Sequence, residues 1–420
     1  MPLNIRKKVD KVEKKYFILI VLIIFISKAS YAIDSKLIIT CDQNINDKWY
    51  NTISENVPTF KTVDRVVKKQ YFTILLFLSK YKINANKIAD IKFDLIIKKP
   101  DGGNYFIQEG LEAINKKIDY PNYVQLSKTN LKVCFEPEDN LGLYQVVVNV
   151  YDLNSNKKST NQYSIILSDF KKEEFFKSDE SLNNWFHNYY SKPSPEKAID
   201  AYLYYSKSKL VENKNGFIPM FSFFRELFNN DEYLIPHLTS LYSTQNRMTR
   251  IYIIYLLRYL NYDSRKFLNS LQGNEKKVYQ KILTENFPSP QDKIKNASSL
   301  DLQWGVFFAS GNIEPVRKLI SALEYSKYNG SIDNFKNTSK TELDKQNALK
   351  DSIFQASRWS LEANAKQYPL VGNYCAYLFN NGDLTKNEKL WTGMILSKVY
   401  PDKFQAEKDE TGSWVIQKYD

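Results

Sequence analysis

The sequence predicts a multidomain α+β protein in which an immunoglobulin-like β-sandwich precedes an all-α domain of irregular, repeat-like helical hairpins. Short runs in which apolar and polar residues alternate occupy the chain up to about residue 170, a pattern typical of strands. Beyond that point apolar residues recur every three or four positions, as on one face of a helix. The predicted divisions are a signal peptide at 1–32, the sandwich at 33–170 and the helical domain at 171–420.

The amino terminus has the three parts of a cleavable export signal. Residues 6–15 carry six basic and two acidic side chains, and residues 16–27 form an apolar run of twelve. That run fits a signal peptide and is shorter than the roughly 20 residues that span a bilayer. Small residues at Ser30 and Ala32 predict cleavage after Ala32. We therefore expect a protein exported to the periplasm or the cell exterior, with an uncleaved anchor or a buried core helix as the alternatives.

Charge and composition favour an ordinary folded surface over a nucleic-acid groove. The chain of 420 residues has 59 basic and 47 acidic side chains, and removal of 1–32 would leave 52 and 45, a net charge of +7. Its lysines occur in scattered doublets, which predicts no nucleic-acid partner. These doublets are Lys68–Lys69, Lys98–Lys99, Lys116–Lys117, Lys157–Lys158 and Lys276–Lys277.

The sequence contains one possible disulfide bond. Cys41 and Cys134 fall in the same predicted domain, and export would place them in an oxidising compartment where they can pair. The alternative is two buried thiols in strands. Cys375 lies within an apolar helical pattern and is expected to be a buried thiol.

The predicted strands of the first domain are separated by turn sequences. One such turn is Pro100–Gly103, and another, at 152–156, joins two alternating runs as a hairpin. The segment 44–69 fits a sandwich poorly and is expected to hold a short helix. The strands are predicted at residues 36–41, 71–79, 91–98, 131–136, 144–151 and 162–167.

Tyr144 is predicted to be a structural corner residue. It follows the turn 138–143 and leads directly into an alternating strand. In immunoglobulin-like domains a tyrosine at this place packs at a sheet corner and hydrogen bonds to the upstream backbone. We therefore assign Tyr144 a structural role. The turn carboxylates beside it are interpreted as solvated, not as cation ligands.

The second domain is predicted to consist of short-looped helices. Ser194, Pro195 and Glu196 are typical of a helix start. Residues 298–323 predict an αα-hairpin, with a stop at Gly311–Asn312 between its two helices. Helices joined by short loops imply antiparallel neighbours.

Two segments of this domain resemble uncharacterised exported bacterial proteins. They are residues 301–311 (DLQWGVFFASG) and 356–365 (ASRWSLEANA). The resemblance implies a bacterial, Gram-negative origin and a helical carboxy-terminal domain, and it brings no catalytic residues. Trp304, Phe307, Phe308 and Trp359 are interpreted as core aromatics in preference to a binding surface.

The sequence contains no constellation that identifies a catalytic or cofactor site. His187 and His237 are the only histidines, and neither lies in a metalloprotease or hydrolase motif. No glycine-rich phosphate loop occurs, so we expect no cofactor and no metal. Adjacent carboxylates occur at Glu173–Glu174, Asp231–Glu232 and Asp409–Glu410, in stretches that are predicted to be exposed.

The leading functional hypothesis is a non-enzymatic binding or scaffold protein, whose partner would be a protein of the cell envelope. After signal cleavage we expect no membrane association. The alternative is a cell-envelope hydrolase or transglycosylase that acts through carboxylates, because such enzymes require neither histidine nor cofactor. A secreted factor that acts on a host is a third reading, and the sequence assigns no oligomeric state.

Overall fold

The computed structural model describes residues 33–52, 58–120, 122–337 and 341–419. The predicted signal peptide at 1–32 lies outside these described residues. The chain is an α+β protein with a β-rich part, here called the β region (33–170), and a helical part, here called the helical region (171–419). The last strand of the β region ends at Ser168, and the first helix of the helical region begins at Asp179.

The described strands of the β region form two sheets. These strands are β1 (Asp34–Thr40), β2 (Arg65–Val67), β3 (Phe72–Ser79), β4 (Ile88–Lys98), β5 (Asn104–Lys117), β6 (Gln125–Leu126), β7 (Leu131–Val133), β8 (Gly142–Asp152) and β9 (Lys157–Ser168). In the first sheet β1 pairs with one edge of β3, and both β6 and β7 pair with the other edge. The second sheet has the order β2-β9-β8-β4-β5, in which only β2 and β9 are parallel. A short helix, α1 (Ile45–Tyr50), lies between β1 and β2.

One hydrophobic core joins the two sheets. Alternate residues of β4 and β8 point inward, because successive side chains of a strand face opposite sides. Phe93 and Val148 illustrate this burial in the second sheet, and Ile39 and Ile74 in the first. The alternation of apolar and polar residues in the sequence therefore arises because one face of each sheet packs against the other sheet.

Each of the six predicted strands is present, and so is the short helix expected within 44–69. The long strand β5 was missed because its sequence (NYFIQEGLEAINKK) is mostly polar and contains Gly110. Gly110 has a φ of +68° at an irregular stretch of the β4–β5 pairing, and its backbone N–H donates to Asp94 Oδ1 at 2.8 Å. Glycine adopts this left-handed conformation without steric cost.

The described residues of the helical region share one extended core, to which Val67 and Phe170 of the β region also contribute. Short 3₁₀ turns occur at Pro195–Lys197, Lys209–Glu212, Tyr242–Thr244 and Ala322–Tyr328. The helices are α2 (Asp179–Asn188), α3 (Ala198–Tyr205), α4 (Lys214–Asn230), α5 (Leu234–Ser240), α6 (Arg247–Tyr259), α7 (Arg265–Ser270), α8 (Gly273–Ile282), α9 (Ala297–Ser310), α10 (Ile313–Ser321), α11 (Ser331–Asn337), α12 (Glu342–Gln367), α13 (Pro369–Asn381) and α14 (Lys386–Val399).

The predicted hairpin is confirmed as α9 and α10. Gly311 ends α9 with a φ of +64°, and the Asn312 side chain caps α10 by accepting from the Glu314 backbone N–H. Helix α9 also packs closely along α4, where Gly305 lies against the Pro219 carbonyl and leaves no space for a side chain. The hairpin therefore packs both on α4, which precedes it, and on α12 and α13, which follow it, and is not simply the next unit of a stack.

The prediction of an all-α second domain is wrong at its carboxyl end. A hairpin of β10 (Phe404–Lys408) and β11 (Trp414–Lys418) packs on α14. Its turn is held by the Asp409 carboxylate, which accepts from the backbone N–H groups of Thr411 and Ser413. Phe404 is buried against Phe379, so the hairpin is fixed to the helical core.

Within the described part of the chain, none of the helices combines the length and apolar character needed to cross a membrane.

Candidate functional site at the junction of the two regions

The structure contains no disulfide between Cys41 and Cys134, and both are free thiols, as is Cys375. Cys41 directly follows β1 and Cys134 directly follows β7, and these strands pair with opposite edges of β3. Two strand spacings separate such positions by about 9.5 Å, whereas bridged Cα atoms lie within about 7 Å. The intervening strand therefore keeps the two thiols apart.

Cys41 is held as a buried neutral thiol. Its Sγ accepts a hydrogen bond from Gln70 Nε2 at 3.3 Å, and burial raises its pKa well above the ordinary value. The thiolate is the nucleophilic form of cysteine. This thiol is consequently unsuited to nucleophilic chemistry at neutral pH.

Tyr144 lies near the start of β8 and is buried. Its hydroxyl donates to the Asn140 carbonyl at 2.9 Å, and its ring packs on Phe135 with a centroid separation of 4.3 Å. The side chain thus links the strand to the turn that precedes it. These contacts are structural, and they present no reactive group to solvent.

The two histidines lie in separate packing environments. His237 stacks on Phe170 with ring centroids 4.1 Å apart, and His187 Nδ1 lies 2.9 Å from the Asn183 carbonyl. Burial lowers the pKa of both imidazoles. Neither histidine pairs with a carboxylate in the parts of the chain that the structure describes.

The junction between the regions contains a buried ion pair that the sequence did not reveal. Lys48 Nζ of α1 lies 2.6 Å from Asp42 Oδ2, and it also donates to the Tyr190 carbonyl at 2.5 Å. Both charged side chains are almost fully buried. Buried charges are tolerated where they are paired and hydrogen bonded. Lys48 therefore connects the β region to the end of the first helix of the helical region.

Further hydrogen bonds surround this ion pair. Asn44 Nδ2 donates to the Ser310 carbonyl at 2.8 Å, and the Ile313 backbone N–H donates to Asp47 Oδ2 at 3.3 Å. Gly311 packs directly on Lys48, since a Cβ at this position would lie 2.6 Å from Lys48 Cε. Segment 42–48 is consequently fixed against the turn between α9 and α10.

Beside the ion pair, Asp231 is a buried carboxylate without a partner. It follows the last residue of α4 and is only 6% exposed. Among the described residues no group hydrogen bonds to its carboxylate or pairs with it. Burial raises its pKa to about 7, an effect that Lys132 partly offsets and Glu196 reinforces. The sequence placed Asp231 in an exposed acidic pair, and this was wrong, although its neighbour Glu232 is exposed.

Asp231 borders a small pocket to which both regions contribute. The volume of the pocket is about 10 Å³, which is close to the minimum that holds one water molecule. Such a pocket can take a proton or a water but cannot admit a sugar ring. Its lining residues are Cys41, Asp42, Gln43, Tyr189, Pro193, Leu227, Asn230, Asp231, Ala309 and Ser310.

A larger cavity of about 200 Å³ lies between the segment 286–296 and the start of α9. Asp292 is the one carboxylate among its described lining residues, and its Oδ2 accepts from the Ser289 backbone N–H at 2.9 Å. A glycosidase site needs two carboxyl groups that face the same bond. The described lining of this cavity therefore supplies only one of the two carboxyl groups. Across the described residues, no cluster of three or more His, Cys, Asp or Glu side chains is placed to hold a metal ion.

Comparisons with known proteins add no family. No protein-family model matches the chain, and no curated protein matches it. Among solved structures, a family 123 glycoside hydrolase from Clostridium perfringens overlays at 9% identity with a TM-score of 0.22, covering 43% of this chain and 36% of that one. The chain thus spans about a third of the length of that enzyme.

Two further solved structures overlay a larger share of the chain. A family 76 glycoside hydrolase from a bovine Bacteroides thetaiotaomicron strain gives 11% identity and a TM-score of 0.17 over 84% of this chain and 80% of that one. Escherichia coli alpha-2-macroglobulin activated by porcine elastase gives 11% identity and a TM-score of 0.19, and the overlay covers 92% of this chain and 39% of that one. Overlays this weak carry no argument about fold or function. The order of strands and helices by itself defines the class, an α+β chain with a β-rich and a helical region.

Proposed function

We propose that this chain is an exported protein that acts by binding, as a scaffold, and not by catalysis. The observation that carries the proposal is the buried junction, in which Lys48 is held by Asp42 and by the Tyr190 carbonyl. A charge buried with its partners resists displacement, because separating the partners would leave an unpaired charge away from water. The two regions thereby keep a fixed mutual placement. A rigid body of this kind is suited to present its surfaces to a partner.

We further infer that the β region is an immunoglobulin-like sandwich. The pairing of β1 and β3 in one sheet, with β9, β8 and β4 adjacent in the other, supports this assignment. The hydrogen bond from Tyr144 to the Asn140 carbonyl also supports it, because a corner tyrosine near the start of a late strand is characteristic of that fold. Such a domain is compatible with binding or spacing, although fold alone does not assign a function.

The carboxylate hydrolase is the less favoured function. Asp42 and Asp231 border the same pocket, but Asp42 is committed to Lys48 and the pocket has room for about one water. Glycosidases position two carboxyl groups on either side of a bound sugar, roughly 5 to 9.5 Å apart. The geometry at the junction offers neither the space nor the access for a polymer.

The export proposal is tested by sequencing the amino terminus of the protein recovered from fractionated cells. We expect a chain that begins at Ile33 and is recovered outside the cytoplasm. Recovery of the intact chain from the cytoplasm would refute export. It would also mean that the cysteines do not reach the oxidising compartment in which they could pair.

The binding proposal is tested by incubating the purified protein with isolated cell-envelope material. We expect saturable sedimentation with that material and no release of soluble peptidoglycan fragments. Release that is lost in Asp231→Asn and retained in Asp402→Asn would overturn the proposal in favour of the hydrolase. Asp402 is a suitable control because its side chain is exposed.

A further inference from the structure

One end of the β region faces away from the helical region. At this end β1 begins opposite the end of β3, β4 begins opposite the end of β5, and β8 ends where β9 begins. The opposite end holds Thr40 and the junction with the helical region. Since β4 has 11 residues, this end lies roughly 35 Å from the other. We call it the distal face.

The segments of the distal face are bonded to each other. The Lys82 backbone N–H donates to Asp152 Oδ2 at 2.9 Å, and Asn154 Nδ2 donates to the Ile88 carbonyl at 2.9 Å. The Ile118 backbone N–H donates to the Lys87 carbonyl at 2.9 Å. The turns after β3 and β8 and the loop after β5 therefore form one continuous surface.

Exposed apolar side chains lie on this surface. Tyr120 and Tyr123 are 68% and 59% exposed, and their rings stack with centroids 5.4 Å apart. Val124 and Leu153 are also exposed. Single exposed apolar residues are ordinary, but a stacked aromatic pair beside further exposed apolar residues indicates a contact surface.

Basic residues dominate the charge of the distal face. Of its acidic residues, Asp152 is buried, and its carboxylate accepts hydrogen bonds from the Ser155 hydroxyl and the Lys82 backbone N–H. Asp34 pairs with Lys80 at 3.6 Å. Asp90 and Asp119 are the other two. The lysines of this face are Lys80, Lys82, Lys87, Lys116, Lys117, Lys157 and Lys158.

We propose that the distal face docks on an anionic lipid bilayer, with the tyrosines at the headgroup level and the lysines against the lipid charge. Tyrosine is enriched where a protein meets the membrane–water interface, and lysines near an anionic leaflet strengthen attachment. Protein interfaces, in contrast, are depleted in lysine. The composition of the distal face therefore favours lipid over an acidic protein. This inference rests on the proposed binding role and names its partner, and it departs from the expectation that no membrane contact follows signal cleavage.

The test is sedimentation of the purified protein with vesicles of phosphatidylglycerol and phosphatidylcholine in equal amounts. We expect binding to these vesicles, none to phosphatidylcholine alone, and weakening as salt shortens the range of the electrostatic attraction. Lys116→Glu combined with Lys117→Glu should lower the partition coefficient about 30-fold or more, since each lysine contributes about fivefold. Tyr120→Ser combined with Tyr123→Ser should lower it as well. At matched ionic strength, inorganic phosphate should weaken binding no more than chloride does.

The matched control is Lys276→Glu combined with Lys277→Glu, an exposed doublet on α8 in the helical region. An equal loss of binding in this control would overturn the proposal, because attraction would then be a property of the whole surface. Circular dichroism of each variant separates lost binding from lost folding. Binding to polyglutamate without binding to vesicles would also overturn the lipid assignment and would leave the proposed binding role standing.

Discussion

Replacement of Asp231 by asparagine should make the protein more stable at alkaline pH and should flatten the pH dependence of its stability. In the folded state burial raises the pKa of Asp231 from 3.8 to about 7. Folding therefore favours the protonated carboxyl, and this stabilisation is fully present below pH 3.8. It is lost as the pH rises through the folded value, because the buried group must then ionise without a partner.

The expected magnitude follows from the size of the shift. About three pKa units at 1.36 kcal/mol each give an upper limit of roughly 4 kcal/mol for the cost of ionised Asp231 above pH 7. The asparagine amide is also buried and needs hydrogen bonds of its own, which reduces the gain. We expect Asp231→Asn to raise the free energy of unfolding by about 2 kcal/mol at pH 8, to change it little near pH 5 and to lower it by about 2 kcal/mol at pH 4, because the cost of burying the amide is the same at every pH.

Urea denaturation at a series of pH values measures this difference directly. The informative quantity is the free energy of unfolding of the variant minus that of the wild type at each pH, because other titrating groups cancel. Asp402→Asn serves as the control and should give a difference near zero throughout. A difference for Asp231→Asn that is the same at pH 5 and pH 8 would refute the reasoning, as would a wild type that gains stability over the variant with rising pH.

Three more perturbations test the framework around this site. Lys48→Met should destabilise the protein by about 3 to 5 kcal/mol in urea because it leaves Asp42 buried and unpaired, and adding Asp42→Asn should recover much of that loss. Tyr144→Phe should cost about 1 kcal/mol through one lost hydrogen bond, measured in the same assay; no change would refute a structural corner. Alkylation of the denatured, unreduced protein should label Cys41 and Cys134, and a disulfide-linked peptide detected by mass spectrometry would contradict the strand order.

Secondary structure could be predicted where the sequence pattern has a local physical cause. The strands β4 and β8 were predictable because their alternating residues face the core on one side and the surface on the other. The hairpin of α9 and α10 was predictable because Gly311 supplies a left-handed residue between two apolar periodic segments. Strand β5 has no such pattern, since it is an edge strand and much of its surface faces solvent.

The junction could not be predicted because its burial arises between segments that are distant in the chain. Lys48 occurs in a polar stretch, and only the approach of Tyr190 and Gly311 removes it from water. Asp231 likewise occurs within the polar run Asn-Asn-Asp-Glu, and it is buried where it lines the same pocket as Tyr189 and Cys41. The one local indication was the apolar sequence that follows Glu232.

The junction therefore combines a paired and an unpaired carboxylate at the same boundary. Asp42 is neutralised by Lys48, so its contribution persists as long as the regions stay together. Asp231 makes no ion pair among the described residues and Lys132 only partly offsets the effect of its burial, so protonation is the simplest way in which Asp231 can remain buried. Ionisation of Asp231 opposes the contact that Lys48 enforces. The strength of the link between the β region and the helical region should consequently be lower at pH 8 than at pH 5.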